Sequence, residues 1–361
     1  MKVRAFLCFF LLFATFSLTA QDKHFTLYNM APLRINPANT GAFEGTVRIG
    51  GIFRDQGFGI STVSGAMFRT PSVYADSPIL MVGKRSWLGG GFMFYSDRAG
   101  RVAEITETAS LLSAAFHHML DKKGKNVLTL GVQGGNVARR VQVNSMQDLV
   151  LIDTEMIGSG STGGGTGGQN NNNALDINVG MLFSSAVRDS DKLRLGFSLN
   201  HLTRPDYTVL GATGGGTPGP NPNPNPNPGN RKTAARPILT VLHGDYLAQL
   251  NDKWQLEPSF FIQNIAGSPL ELVLQSWAGV KINPDKDLLL RFGLGYRVND
   301  AGQILVGIDQ GDLRVAASYD LTLSSLSDVN GGNGGFELSA YYIFKVYKTP
   351  PVETRVLCPQ L

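Results

Sequence analysis

The chain has 361 residues, 42% of them hydrophobic and 17% charged, with 43 glycines and a formal net charge of +4. Its charges are scattered through short turns and alternate positions, which excludes the clustered basic face of a nucleic-acid binder. The two cysteines, Cys8 and Cys358, lie at opposite ends, so the composition also excludes a disulfide-stapled scaffold.

At the N-terminus, Lys2 and Arg4 precede an apolar run from Ala5 to Phe16, and Ser17-Leu18-Thr19-Ala20 leads to Gln21. This order predicts a secretory signal peptide over 1–20, cleaved near Ala20. The run is shorter than the ~20 apolar residues of a spanning helix. Cys8 lies inside that run with no small residues before it, so a lipid anchor there is set aside. Cleavage leaves 361 − 20 = 341 residues, a charge of +2 once Lys2 and Arg4 are gone, and Cys358 as a lone thiol. Residues 21–45 form a lead segment, expected in the periplasm. Within it Asn36-Pro37 suits a rigid turn, read either as a simple lead into the first strand or as part of a segment folded into a barrel mouth.

From Val47 onward the period is two, the spacing of a pleated strand. Leu193, Leu195, Phe197 and Leu199 alternate with Arg194, Gly196, Ser198 and Asn200. Leu288 to Val298, Leu313 to Leu321 and Phe336 to Val346 repeat the pattern. Each run has one apolar face and one charged or glycine face. Fourteen strands are predicted, near 46–54, 72–83, 87–96, 103–119, 126–142, 174–187, 192–200, 236–250, 253–263, 270–282, 288–298, 303–309, 312–321 and 336–347. Several match the roughly 9–11 residues of a tilted membrane-crossing strand.

The connections separate a membrane barrel from a soluble sandwich. Every second one is tight and charged: Lys84-Arg85-Ser86, Asp121 to Lys125, Arg188 to Asp191, Asn251-Asp252, Asn283 to Asp287 and Gln310-Gly311. Between them lie longer ones, notably Asn144 to Asn173, His201 to Ala235 and Thr322 to Gly335. Short turns on one rim and long loops on the other are the outer-membrane pattern. The fold class is therefore all-β: a transmembrane antiparallel up-and-down β-barrel over 46–347, its short rim and both termini, including the tail 348–361, periplasmic. Two low-complexity stretches, Gly158 to Asn173 and the Asn-Pro run Gly214 to Asn230, read as flexible extracellular loops near 144–173 and 201–235. Trp87 and Trp254 each follow a short turn, where an aromatic ring suits either the headgroup level or the core.

Motifs for chemistry are sparse. The chain has no GxSxG elbow, HExxH pair, Walker loop or CxxC, and Gly158 to Gly163 matches GxGxxG without a strand-to-helix context. His117 and His118 are adjacent on a strand and point to opposite faces, so they do not grip one metal together. Catalytic, cofactor and metal residues are expected to be none. Inward positions carry both signs, Arg194, Arg291, Arg297, Arg314 and Lys345 against Glu257, Glu271, Asp320 and Glu337. They either pair across strands and fill the lumen or line a wet pore.

HFTLYNMAPLRINPANTGAFEG, followed by TVRIGGIFRDQ, resembles the opening of the PorP/SprF family of the type IX secretion system in Bacteroidetes. Tyr28, Asn36-Pro37-Ala38, Gly41, Arg54 and Gln56 carry the resemblance, although Gly57 stands where the family usually has tryptophan. The far end is similar too, with Ser318-Tyr319-Asp320, Phe336-Glu337 and Cys358-Pro359 in the expected order. The resemblance implies an outer-membrane, non-enzymatic component of type IX secretion or gliding, without cofactors and monomeric within a larger complex. Its implied partners are outer-membrane lipid, periplasmic motor or ring components, and a large secreted adhesin as cargo. Tyr28, Asn36, Pro37, Gly41, Arg54, Gln56, Tyr319, Asp320, Glu337 and Cys358 are the partner-contact candidates. A passive porin and a barrel-embedded hydrolase are the rival functions.

Overall fold

A computed structural model describes residues 25–346, apart from 57–66, 101–102, 144–169, 189, 206–234, 267, 284–286, 326 and 328–330. The expected leader, the C-terminal tail with Cys358 and most of the two low-complexity loops lie outside the described residues. Fourteen strands follow one another: β1 (Val47–Asp55), β2 (Met67–Val82), β3 (Ser86–Gly100), β4 (Ala103–Met119), β5 (Asn126–Val143), β6 (Asn170–Ala186), β7 (Lys192–Asn200), β8 (Leu239–Gln249), β9 (Trp254–Ile265), β10 (Glu271–Asn283), β11 (Leu288–Arg297), β12 (Ala301–Gln310), β13 (Leu313–Thr322) and β14 (Asn333–Phe344). Each pairs antiparallel with its sequence neighbours, and β1 pairs with β14 to close the barrel. The seam register sets Val47 opposite Phe344 and Arg54 opposite Glu337.

Alternation decides which face goes where. Along β11, Phe292, Leu294 and Tyr296 are exposed on the outside, while Arg291 and Arg297 are buried inside. The same holds on β13, where Arg314, Ser318 and Asp320 point inward. A soluble protein would lose stability by exposing so many large apolar side chains; in a membrane they face lipid, and closure leaves no unpaired strand edge in it. No helix among the described residues is long and apolar enough to cross a membrane; the crossing is made by strands.

Lys345 differs from its expected placement, and Trp87 takes one of the two expected for it. Lys345 is not in the lumen: β14 ends at Phe344, and the half-exposed Lys345 ammonium pairs with Asp312 in the neighbouring turn at 2.5 Å. Trp87 is core, not interface; it lies buried, stacked on the His117 ring at 4.5 Å, and donates to Gly41 O at 3.3 Å. Trp254, after its turn, is 44% exposed on the outer surface.

Candidate functional site

The lumen is the site, and residues 25–45 occupy it, leaving a cavity between the segment and the wall that Tyr28, Arg34, Gln133, Asn178 and His201 help to line. The segment folds as a 3-10 turn (Tyr28–Met30), a one-turn helix α1 (Pro32–Ile35) and a second 3-10 turn (Pro37–Asn39). Pro32 and Pro37 each stand at a first helical position, where the missing N–H costs nothing. Phe25, Leu27, Met30, Leu33, Ala38 and Phe43 are buried and form one cluster with wall residues that include Leu111, Leu182, Trp277 and Leu305. The core of this barrel is thus built between the segment and the inner wall.

At the long-loop rim the segment is held by a clasp. Glu337 accepts the Thr26 and Leu27 amides, each at 2.7 Å, and pairs with Arg54 at 3.0 Å. Thr26 Oγ1 donates to Asp320 at 2.7 Å, and Arg297 bonds both Thr26 Oγ1 (3.1 Å) and Asp320 (3.0 Å). Gln275 donates to Thr26 O at 2.8 Å. The Gln56 amide, oriented with its oxygen towards the guanidinium, accepts from Arg54 Nε at 3.1 Å. Arg54, Gln56, Asp320 and Glu337, drawn from both ends of the sequence, therefore meet around one turn of backbone.

From there the segment descends around the wall. Tyr28 stacks on Phe261 at 5.1 Å and donates to Ser259 at 2.8 Å. Arg34 lies over the Tyr95 ring at 4.2 Å, and the Leu33 and Ile35 carbonyls accept from Gln133 and Ser198. Asn36 caps the second 3-10 turn through its Oδ1, which accepts from Ala38 N at 2.9 Å, while its Nδ2 donates to Met181 O at 2.9 Å. A Cβ added at Gly131, Gly180 or Gly196 would overlap Pro37-Ala38, the Asn36 side chain and the His243–Asn36 pair respectively. Three inward glycines on β5, β6 and β7 thus make the flat bed on which Asn-Pro-Ala lies. Thr40 O accepts from His117 at 2.9 Å in the ring tautomer that protonates Nε2. Gly41, at φ +68°, donates to Asp76 at 2.7 Å, and Asp76 in turn holds Arg48 at 2.8 Å. The chain then enters β1 at the short-turn rim.

Of the expected contact residues, Tyr28, Asn36, Pro37 and Gly41 thus belong to the segment, and Arg54, Gln56, Asp320 and Glu337 to its clasp. Tyr319 is apart from them, on the outer face of β13, donating to Asn333 at 3.2 Å. The remaining inward charges are paired: Arg194 with Asp245, Arg291 with Glu257 and Asp309, and Arg314 with Asp309. These charges therefore meet across strands. Thr26, Gln275, His243 and the three bedding glycines were not anticipated as site residues; inward glycines on adjacent strands were the available signal. No group of three or more His, Cys, Asp or Glu able to hold a metal ion occurs among the described residues.

The barrel is similar to several solved structures, each of those named below at low sequence identity. They include the translocator domain of autotransporter NalP from Neisseria meningitidis, at 11% identity and TM-score 0.41, covering 88% of this chain and 95% of that one. A Pseudomonas aeruginosa FadL homologue matches at 16% and 0.46, covering 86% and 93%. The Pseudomonas putida toluene transporter TodX matches at 14% and 0.45, covering 86% and 92%. At such similarity none of their activities carries over. A comparison with curated proteins returns no match. The family model of the type IX secretion system membrane protein PorP/SprF matches residues 17–342, nearly the whole chain. With the barrel this makes the protein an outer-membrane component of that system, and the chain belongs to the PorP/SprF family.

Proposed function

We propose that this protein serves type IX secretion as a sealed, non-enzymatic partner that works through its two rims and not through its lumen. The observation that supports this reading is the lumen occupied by residues 25–45 and by paired charges, which argues against a path for a polypeptide. Short charged turns on one rim suit the periplasmic side, where motor or ring components would dock. The longer connections suit the outside, where a large secreted adhesin would be held during export. Within a cargo-handling role the barrel is an anchor, and its rigidity comes from the packed interior.

Affinity purification of the tagged protein from its native outer membrane in mild detergent tests the proposal. Co-purification of type IX components or of a very large surface protein is the expected result. A lone barrel that recovers neither would turn the assignment towards a passive porin.

A further inference from the structure

We infer that the mature N-terminus is threaded through the barrel and emerges at the outer surface, where the sequence pattern alone places it in the periplasm. The inference rests on the sidedness proposed above, with short turns inside and long loops outside. It follows from where the segment begins and ends. Thr26 is bonded to Gln275, Arg297, Gln303, Asp320 and Glu337, each near the long-loop end of its strand. Arg297 is the last residue of β11, and Asp320 is two residues from the end of β13. At its other end the segment joins β1 at Val47, opposite Phe344 on the short-turn rim. Residues 45 back to 26 therefore cross the barrel from one rim to the other.

The residues before Phe25 are too few to lead back to the short-turn rim. Below Thr26 the interior is occupied by Trp277, Leu305 and Tyr341 and by the Arg291–Glu257 and Arg314–Asp309 pairs. With cleavage near Ala20, four residues precede Phe25, spanning at most about 14 Å at ~3.5 Å each.

Cysteine labelling of cells with a membrane-impermeant maleimide tests this. Lys23→Cys, with Asp22→Cys as a second variant, is placed in a Cys358→Ser background. A loop cysteine at Asn223 and a turn cysteine at Lys123 report sidedness in the same background. Expected is equal labelling of Lys23→Cys and Asn223→Cys in intact and permeabilised cells, with Lys123→Cys labelled only after permeabilisation. Loop labelling in intact cells, with the N-terminal thiols reached only after permeabilisation or in neither state, would overturn the threading and leave the sidedness standing. Labelling of the turn but not the loop in intact cells would overturn the sidedness itself, and the inference with it.

Discussion

Glu337 does two jobs with one carboxylate. It pairs with Arg54 across the β1–β14 seam and accepts two backbone amides of the luminal segment. Removing one member of a buried pair costs roughly 3–5 kcal/mol, whereas replacing both with apolar groups is often near neutral. Glu337→Ala should therefore destabilise the folded barrel by an amount of that order in urea unfolding from lipid vesicles. The double variant Arg54→Met with Glu337→Leu should stay below wild type, because the Thr26 and Leu27 amides lose their acceptor. A double variant as stable as wild type would reduce Glu337 to an ion-pair partner. Gly180 makes a second case. Strand propensity favours alanine over glycine by roughly 0.5–1 kcal/mol, yet a Cβ at Gly180 meets the Asn36 amide. Overpacking costs about 1–3 kcal/mol, so Gly180→Ala should destabilise. Gly134→Ala, whose Cβ meets nothing closer than 3.5 Å, should be neutral or stabilise by up to about 1 kcal/mol; equal effects at the two positions would refute the bed. At this scale the sequence shows which residues belong to the site but not that they meet. Arg54 and Glu337 are 283 positions apart, and only barrel closure makes them register partners.

The short turns are organised by aspartates. Asp121 closes the β4–β5 turn by accepting the amides of Asn126 at 2.7 Å, Lys125 at 3.1 Å and Lys123 at 3.2 Å. These bonds, the Asn126 amide first, hold its carboxyl below the ordinary value of 3.8. Asp191 is likewise lowered, chiefly by the Gln249 amide at 3.0 Å, and so ties the β6–β7 turn to β8. For a group whose folded-state value is depressed, the stabilisation is complete above the unfolded value and is lost as pH falls through the folded one. Asp121→Asn should therefore be less stable than wild type at about pH 6, with the gap narrowing below about pH 4. A gap that stays constant down to about pH 2 would mean that the turn bonds do not depend on the charge. Strand order and turn alternation were legible because period two and charged tight turns are local signals. Strand ends were less so. β2 begins at Met67 instead of near 72 because the ladder continues through Pro71, which pairs with Phe53, and a register shift follows Pro78. β6 begins at Asn170 instead of near 174 because the asparagine run, which reads as a loop, pairs with the extended end of β5.

For the molecule as a whole, the central question is whether the barrel is a channel that happens to be stoppered or a closed anchor. Eight-stranded barrels are filled by their own side chains, and barrels of 16–18 strands leave an aqueous channel. Fourteen strands fall between, so the luminal segment decides the matter. Its role was hard to read from sequence, since residues 25–45 have no sustained period and the partners that hold them are spread over inward positions from β1 to β14. Deleting 25–45 removes Leu27, Met30, Leu33 and Phe43 from the core, wets Leu111, Leu182 and Trp277, and orphans the acceptors of the clasp. The truncated barrel should be less stable, and in a planar bilayer it should show steady single-channel current where the intact protein shows none, with heat-modifiable gel migration confirming that both have assembled. Steady conductance from the intact protein would favour the porin reading. An assembled truncation that stays closed would mean that the Arg194, Arg291 and Arg314 pairs suffice to seal the lumen, making residues 25–45 a structural core and not the stopper.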